Sequence, residues 1–129
     1  MTDEMMTIRQ MCDAFDVTPR TLRFYEAKEL LFPERRGTQR LFTRTDRARL
    51  KLILRGKRFG FSLEHIRQLL AMYDRKGSNV AQLTAAQELA AERLRQMEAQ
   101  RAELDVAIAE LKVEMEAGAA LIASLKTAA

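Results

Sequence analysis

Arg20, Thr21, Arg23 and Tyr25 crowd into the stretch "DVTPRTLRFYE", Asp16 to Glu26. Guanidinium, hydroxyl and phenol groups so close together are hydrogen-bond donors suited to a polyanion. At the open end of a helix, free N–H groups add to them, and Arg20 and Thr21 are spaced to reach base edges or backbone of nucleic acid. Arg23 and Tyr25, further along, suit phosphates, contacts that orient a protein without reading sequence. The plainer alternative is an amphipathic surface helix with solvated arginines, and the helix alone does not separate the two.

The elements that must position these residues carry their own signals. Thr18 is an N-cap and Pro19 takes the first helical position, so a helix runs to about Lys28 with Leu22 and one of Phe24 and Tyr25 turned inward. Before it, Thr7 and Gln10 have capping-box spacing and open a helix through Phe15 whose apolar side holds Ile8, Met11, Cys12 and Phe15. Only Asp16 and Val17 lie between the two, the tight joint of a helix-turn-helix. "LLFPERRGTQRLFT", Leu30 to Thr43, predicts a two-stranded wing with its turn around Arg36–Thr38. Thr43 and Asp46 then cap a helix that Gly60 ends. Ser62 caps a fourth, bearing Ile66, Leu69, Leu70 and Tyr73, before a linker at Asp74–Asn79.

Charge strengthens the polyanion reading. Residues 1–76 hold 17 Lys and Arg against 10 Asp and Glu, whereas residues 77–129 hold 5 against 8. From Arg35 to Arg58 there are ten basic residues and one acidic residue, Asp46. Arg35, Arg36 and Arg40 on the wing, with Lys57 and Arg58 at the end of the third helix, give a second basic element beside the helix-turn-helix. A winged DNA binder needs that, because affinity comes chiefly from neutralised phosphates. RNA or another acidic partner is the competing ligand for such a face.

The second half follows a different rule. Steps of four and three from Leu83 reach Leu125 through thirteen positions, ten of them apolar, a heptad seam. A helix from Val80 to Leu125 would be about 70 Å long. It cannot bury that stripe on so small a domain and needs a partner, most simply its own copy. Gly118 weakens the seam and marks a place to fray or bend; Arg101 is an a-type residue that helps set register if paired.

Several classes are excluded on these grounds. Cys12 is the only cysteine, so neither an intrachain disulfide nor a cysteine-based metal site is available. Cys12 reads as a small core residue, His65 as a capping or surface residue, and Met97 and Met115 as parts of the seam. No nucleophile with a base, paired carboxylates, phosphate loop or metal set points to an enzyme or a cofactor. With no signal-peptide core and no membrane-spanning stretch, a soluble cytoplasmic protein is expected.

"TIRQMCDAFDVTPRTLRFYEAKELLFPERR" followed by "QRLFTRTDRARLKLILRGKRFGFSLEHIRQLL" resembles the N-terminal domain of the MerR family of bacterial transcription regulators over residues 7–74. "TLRFYE" after a two-residue turn, "RLF" closing the wing and "GFSLEHIRQLL" are its most specific elements. The resemblance implies a mainly α fold: a winged helix-turn-helix DNA-binding domain at 1–76, then a linker and a long dimerising helix at 77–129, forming an antiparallel coiled coil. It implies DNA contacts from Thr18, Arg20, Thr21, Arg23, Tyr25, Arg40 and Lys57. Arg36 is added from its charge and position. Gln39 stands where the family usually has an aromatic, Phe24 replaces a common Tyr, and the wing is short.

Metal-responsive members of that family use cysteines near the end of the dimer helix; this chain has none there, so that route is excluded. Residues 77–129 leave no room for the large effector domain of drug-sensing members. Either a ligand pocket forms at the dimer interface or there is no small effector. "DVTPRTLRFYE", "ERRG" and "RLKLILRGKR" are also similar to a subgroup controlling leucine and isovalerate degradation, which implies a branched-chain acyl-CoA as inducer. The reading is therefore a homodimer on a pseudo-palindromic promoter operator, acting with RNA polymerase. The rival is a coiled-coil interaction protein with a basic RNA- or protein-binding head.

Overall fold

A short strand opens the fold, a feature with no signal of its own in the sequence. The structure, a computed structural model, describes residues 4–73 and 79–128. Met6–Thr7 form β1, followed by α1 (Ile8–Phe15), α2 (Pro19–Ala27), β2 (Glu34–Arg36), β3 (Gln39–Phe42), α3 (Arg44–Arg58), α4 (Leu63–Tyr73) and α5 (Val80–Ala128). The wing is thus three-stranded rather than two-stranded, antiparallel in the order β1-β3-β2. β1 pairs Met6 with Phe42 and Thr7 with Leu41, which gives β3 a neighbour on each side.

The capping signals act as the sequence predicts. Thr7 Oγ1 accepts from Gln10 N at 3.2 Å and Gln10 Oε1 accepts from Thr7 N at 2.9 Å, a complete capping box. Asp16, in the left-handed region at φ 54°, ends α1. Thr18 Oγ1 accepts from Thr21 N at 3.2 Å, with Pro19 behind it at the start of α2. Each such cap stabilises its helix by about 1 kcal/mol. α2 ends with Glu29 at φ 58°, where Leu30 N donates to Tyr25 O and Glu29 N donates to Glu26 O. That pair of bonds is a Schellman motif built without glycine. At the wing tip Arg36 pairs with Gln39, leaving a two-residue turn in which Gly37 supplies the required positive φ of 63°.

The core lies where α1, α2, α3, α4 and the base of the wing converge. Met11, Leu22, Leu30, Leu31, Phe42, Leu50 and Ile53 are fully buried, with Tyr25, Ile66 and Leu70 nearly so. Burial of each of these side chains is worth about 1.5–3 kcal/mol. Tyr25, not Phe24, is the inward aromatic of α2; Phe24 is 45% exposed. α3 and α4 pack closely because Gly56 faces Ile66: a Cβ there would lie 2.9 Å from Ile66 Cγ1.

One buried carboxylate ties down the wing. Asp46 accepts from Phe32 N at 2.8 Å, where the chain enters the hairpin, and from Thr43 N and Oγ1 at 3.1 Å, where it leaves. Three charge-assisted bonds offset the removal of this group from water.

By its internal contacts the chain divides into Met1–Gln87 and Glu88–Ala129. The second unit is a length of α5 alone. Asn79 and Gln82 cap that helix reciprocally, at 2.9 and 3.3 Å. It continues as helix through Gly118, where the sequence suggests fraying or a bend. Leu94, Met97, Leu104, Ile108, Leu111, Met115, Ile122 and Leu125 of the seam are all exposed in the protomer. The expected linker falls mostly on residues 74–78, outside those described.

Candidate nucleic-acid interface

Helix α2 carries the donors on a scaffold fixed at both ends. Leu22 and Tyr25 anchor it inward, Thr18 caps its start, and Arg67 of α4 holds its end, donating from Nη2 to Lys28 O at 2.5 Å and from Nη1 to Glu29 O at 3.5 Å. A cation there also complements the negative end of the helix dipole. The outward residues Thr18, Arg20 and Arg23 are exposed, while Thr21 is half-buried with its hydroxyl 3.0 Å from that of Thr18.

Four of the residues singled out from sequence meet at one cleft. Arg20, Thr21 and Tyr25 of α2 and Lys57 of α3 line a cavity of about 460 Å³, with Phe24, Phe61, Leu63 and Ile66 as its apolar wall. Two cations over an apolar wall suit a polyanion that stays partly in water. Tyr25 departs from the expectation of an outward phosphate contact. Only 2% of it is exposed, so its ring belongs to the core and borders the cleft rather than projecting toward a ligand. The reason is helical spacing, since Tyr25 follows Leu22 by three residues and shares its inward face.

The wing residues divide. Arg36 is exposed at the tip beside Gly37. Arg40 is only half exposed and its Nε donates to Glu26 Oε1 at 2.6 Å. Arg35, its cross-strand partner, donates from Nη2 to Glu26 Oε2 at 3.0 Å. Burial alone would push the Glu26 carboxyl up, but the hydrogen bonds and charges of Arg40 and Arg35 outweigh it and hold the pKa below the ordinary glutamate value. Glu26 was not singled out from the sequence. Its partners lie 9 and 14 positions away, and only the fold brings them to it.

Part of the basic stretch serves the fold instead. Arg47 Nη1 donates to Glu4 O and Arg49 Nε to Leu30 O, both at 2.7 Å. Cys12 is half-buried in α1, and burial with the neighbouring Asp13 pushes its thiol up against the lowering effect of Arg23. A raised pKa keeps it protonated and unreactive at neutral pH. Ser62 caps α4, its Oγ accepting from the His65 backbone N–H at 3.1 Å, and His65 is half-buried in the first turn.

A helix-turn-helix with a basic wing beside its second helix, and donors ranged along that helix, defines a winged DNA-binding protein. Residues 6–73 match the MerR HTH family regulatory proteins and residues 47–113 match the MerR DNA-binding region. The chain belongs to the MerR family. It is 37% identical over 102 residues to the HTH-type transcriptional regulator ZntR of Escherichia coli K12, covering 78% of this chain and 71% of ZntR. To the mercuric resistance operon regulatory protein of Pseudomonas fluorescens it is 30% identical over 110 residues, 84% of this chain and 75% of that one. In structure it resembles PbrR691 of Ralstonia metallidurans CH34, crystallised with lead(II), with a TM-score of 0.62 and 28% identity over 84% of this chain and 86% of that one. The fold also matches HiNmlR, a MerR family regulator lacking the sensor domain and bound to promoter DNA, with a TM-score of 0.65 and 23% identity over 87% and 88% of the chains. No helix among the described residues is long and apolar enough to cross a membrane.

Proposed function

We propose that this protein binds a pseudo-palindromic promoter operator as a homodimer and regulates transcription from it. The cleft that unites Arg20, Thr21 and Lys57 beside α2 carries the reading, because it places cations from two helices where one DNA backbone can meet both. Arg20 and Thr21 enter the major groove at the start of α2. Thr18 and Arg23 flank them, Lys57 serves phosphates, and Arg36 and Arg40 follow the backbone from the wing. The exposed seam of α5 joins two copies as an antiparallel coiled coil and spaces two recognition helices for successive major grooves, about 34 Å apart on B-DNA. The same dimer represses or activates according to how it deforms the promoter presented to RNA polymerase.

The relatives do not support the branched-chain acyl-CoA implied by the narrower resemblance. Two of them state mercury and lead by name or bound ion. The effector is a separate question from DNA binding, and the operator reading does not depend on it.

Substitution of Arg20 distinguishes a sequence reader from a basic head that grips RNA or protein. Duplexes selected from genomic fragments by the wild-type protein serve as operator, and shuffled duplexes as control. Arg20→Ala is expected to reduce the preference for operator by roughly tenfold or more, in line with about 1–3 kcal/mol per base contact. Equal loss on both duplexes would favour the rival.

A further inference from the structure

Charge should drive the wing arginines apart, yet the structure holds them together. Arg35 and Arg40 are directly opposed in the β2–β3 ladder, a pairing in which like charges destabilise. One carboxylate from a different element resolves this: Glu26 of α2 takes Arg40 on one oxygen and Arg35 on the other. Glu26 and Arg40 are mostly shielded, with side chains 20% and 24% exposed, whereas Arg35 is 51% exposed.

We infer that Glu26 is a positioning residue for DNA recognition, locking the wing to the recognition helix and fixing which guanidinium donors of Arg35 and Arg40 face a phosphate. The inference rests on the operator reading above and adds a residue to it. Arg40 commits its Nε–H to Glu26, so its terminal amino groups are the donors with which it meets DNA. Wing and α2 then approach the duplex as one rigid unit, and base contacts from Arg20 and Thr21 come into register when the wing grips the backbone. The carboxylate has a second effect. It offsets part of the positive charge next to the groove, which weakens attachment to duplex of any sequence.

Glu26→Gln keeps the shape and removes the charge. With the full-length protein, binding to the selected operator and to a shuffled duplex is measured across a salt series, well below the melting temperature. The variant is expected to bind shuffled duplex more tightly, with a salt dependence steeper by up to about 0.9 in log–log slope as a released arginine finds a phosphate. Its preference for operator should fall on the order of tenfold. In a background of Arg35→Ala with Arg40→Ala, the same substitution should change that preference by less than about twofold, since coupling is lost with the partners. Equal weakening on both duplexes, or an undiminished effect without the arginines, would overturn the inference and leave Glu26 a structural residue only. A wild-type protein with no preference at all would overturn the operator reading, and this inference with it.

Discussion

At the scale of single residues, charge on this protein has two uses that composition does not separate. Arg20 and Lys57 line an open cleft, whereas Arg47, Arg49 and Arg67 donate to backbone carbonyls that close the fold. A count of basic residues therefore overstates the DNA-facing charge. Tyr25 shows a similar limit. About 60° round the helix from Leu22, Tyr25 shares its inward face, whereas Phe24 lies about 200° away; only the packed core shows how completely the phenol is enclosed. Glu26 was illegible because its partners come from another element. It also gives a pH signature. Its folded pKa lies below the ordinary value, so the unfolded chain binds more protons in the interval between the two. The stability it contributes is present above the unfolded glutamate value of about 4.3 and is lost as pH falls through the lower folded value. Thermal melts of wild type and Glu26→Gln should differ by a constant amount at neutral pH and converge as pH falls below the unfolded glutamate value of about 4.3. Curves that stay parallel throughout would show that the carboxylate is not stabilised by the two arginines.

At the scale of elements, the caps and the helix order were readable because each signal is local. Thr7, Thr18, Thr43 and Ser62 each accept from a backbone N–H three residues on. β1 was not readable: two residues have no period of their own, and Met6–Thr7 become a strand only because β3 offers an edge. The same distinction applies to Gly56. In sequence it is a weak point of α3; in structure it lets α4 approach, since a Cβ would meet buried Ile66 at 2.9 Å. Gly56→Ala is expected to destabilise by about 1–2 kcal/mol, the overpacking cost exceeding the gain in helix propensity of about 1 kcal/mol. Denaturant melts decide this, and a higher midpoint would mean that α4 shifts freely away from α3.

At the scale of the whole molecule, the seam of α5 connects the fold to its use. A protomer with Leu104, Ile108 and Leu111 exposed along one helix has apolar surface that water disfavours, and in the proposed homodimer a copy of the same helix covers it. The heptad spacing makes that need legible in the amino-acid sequence itself. The orientation of a partner helix has no comparable local signal, because it depends on surfaces contributed by two chains. Two-fold symmetry in the proposed homodimer would demand two-fold symmetry in its DNA.

Footprinting the purified protein on the DNA upstream of its own gene, in moderate salt with competitor DNA, tests this most directly, with a Leu104→Asp, Leu111→Asp variant alongside. A protected, roughly symmetric site is expected for the wild type, with no protection at the same concentration for the variant, whose seam no longer closes. Protection only at low salt with no preferred position, or an unchanged footprint from the seam variant, would contradict it.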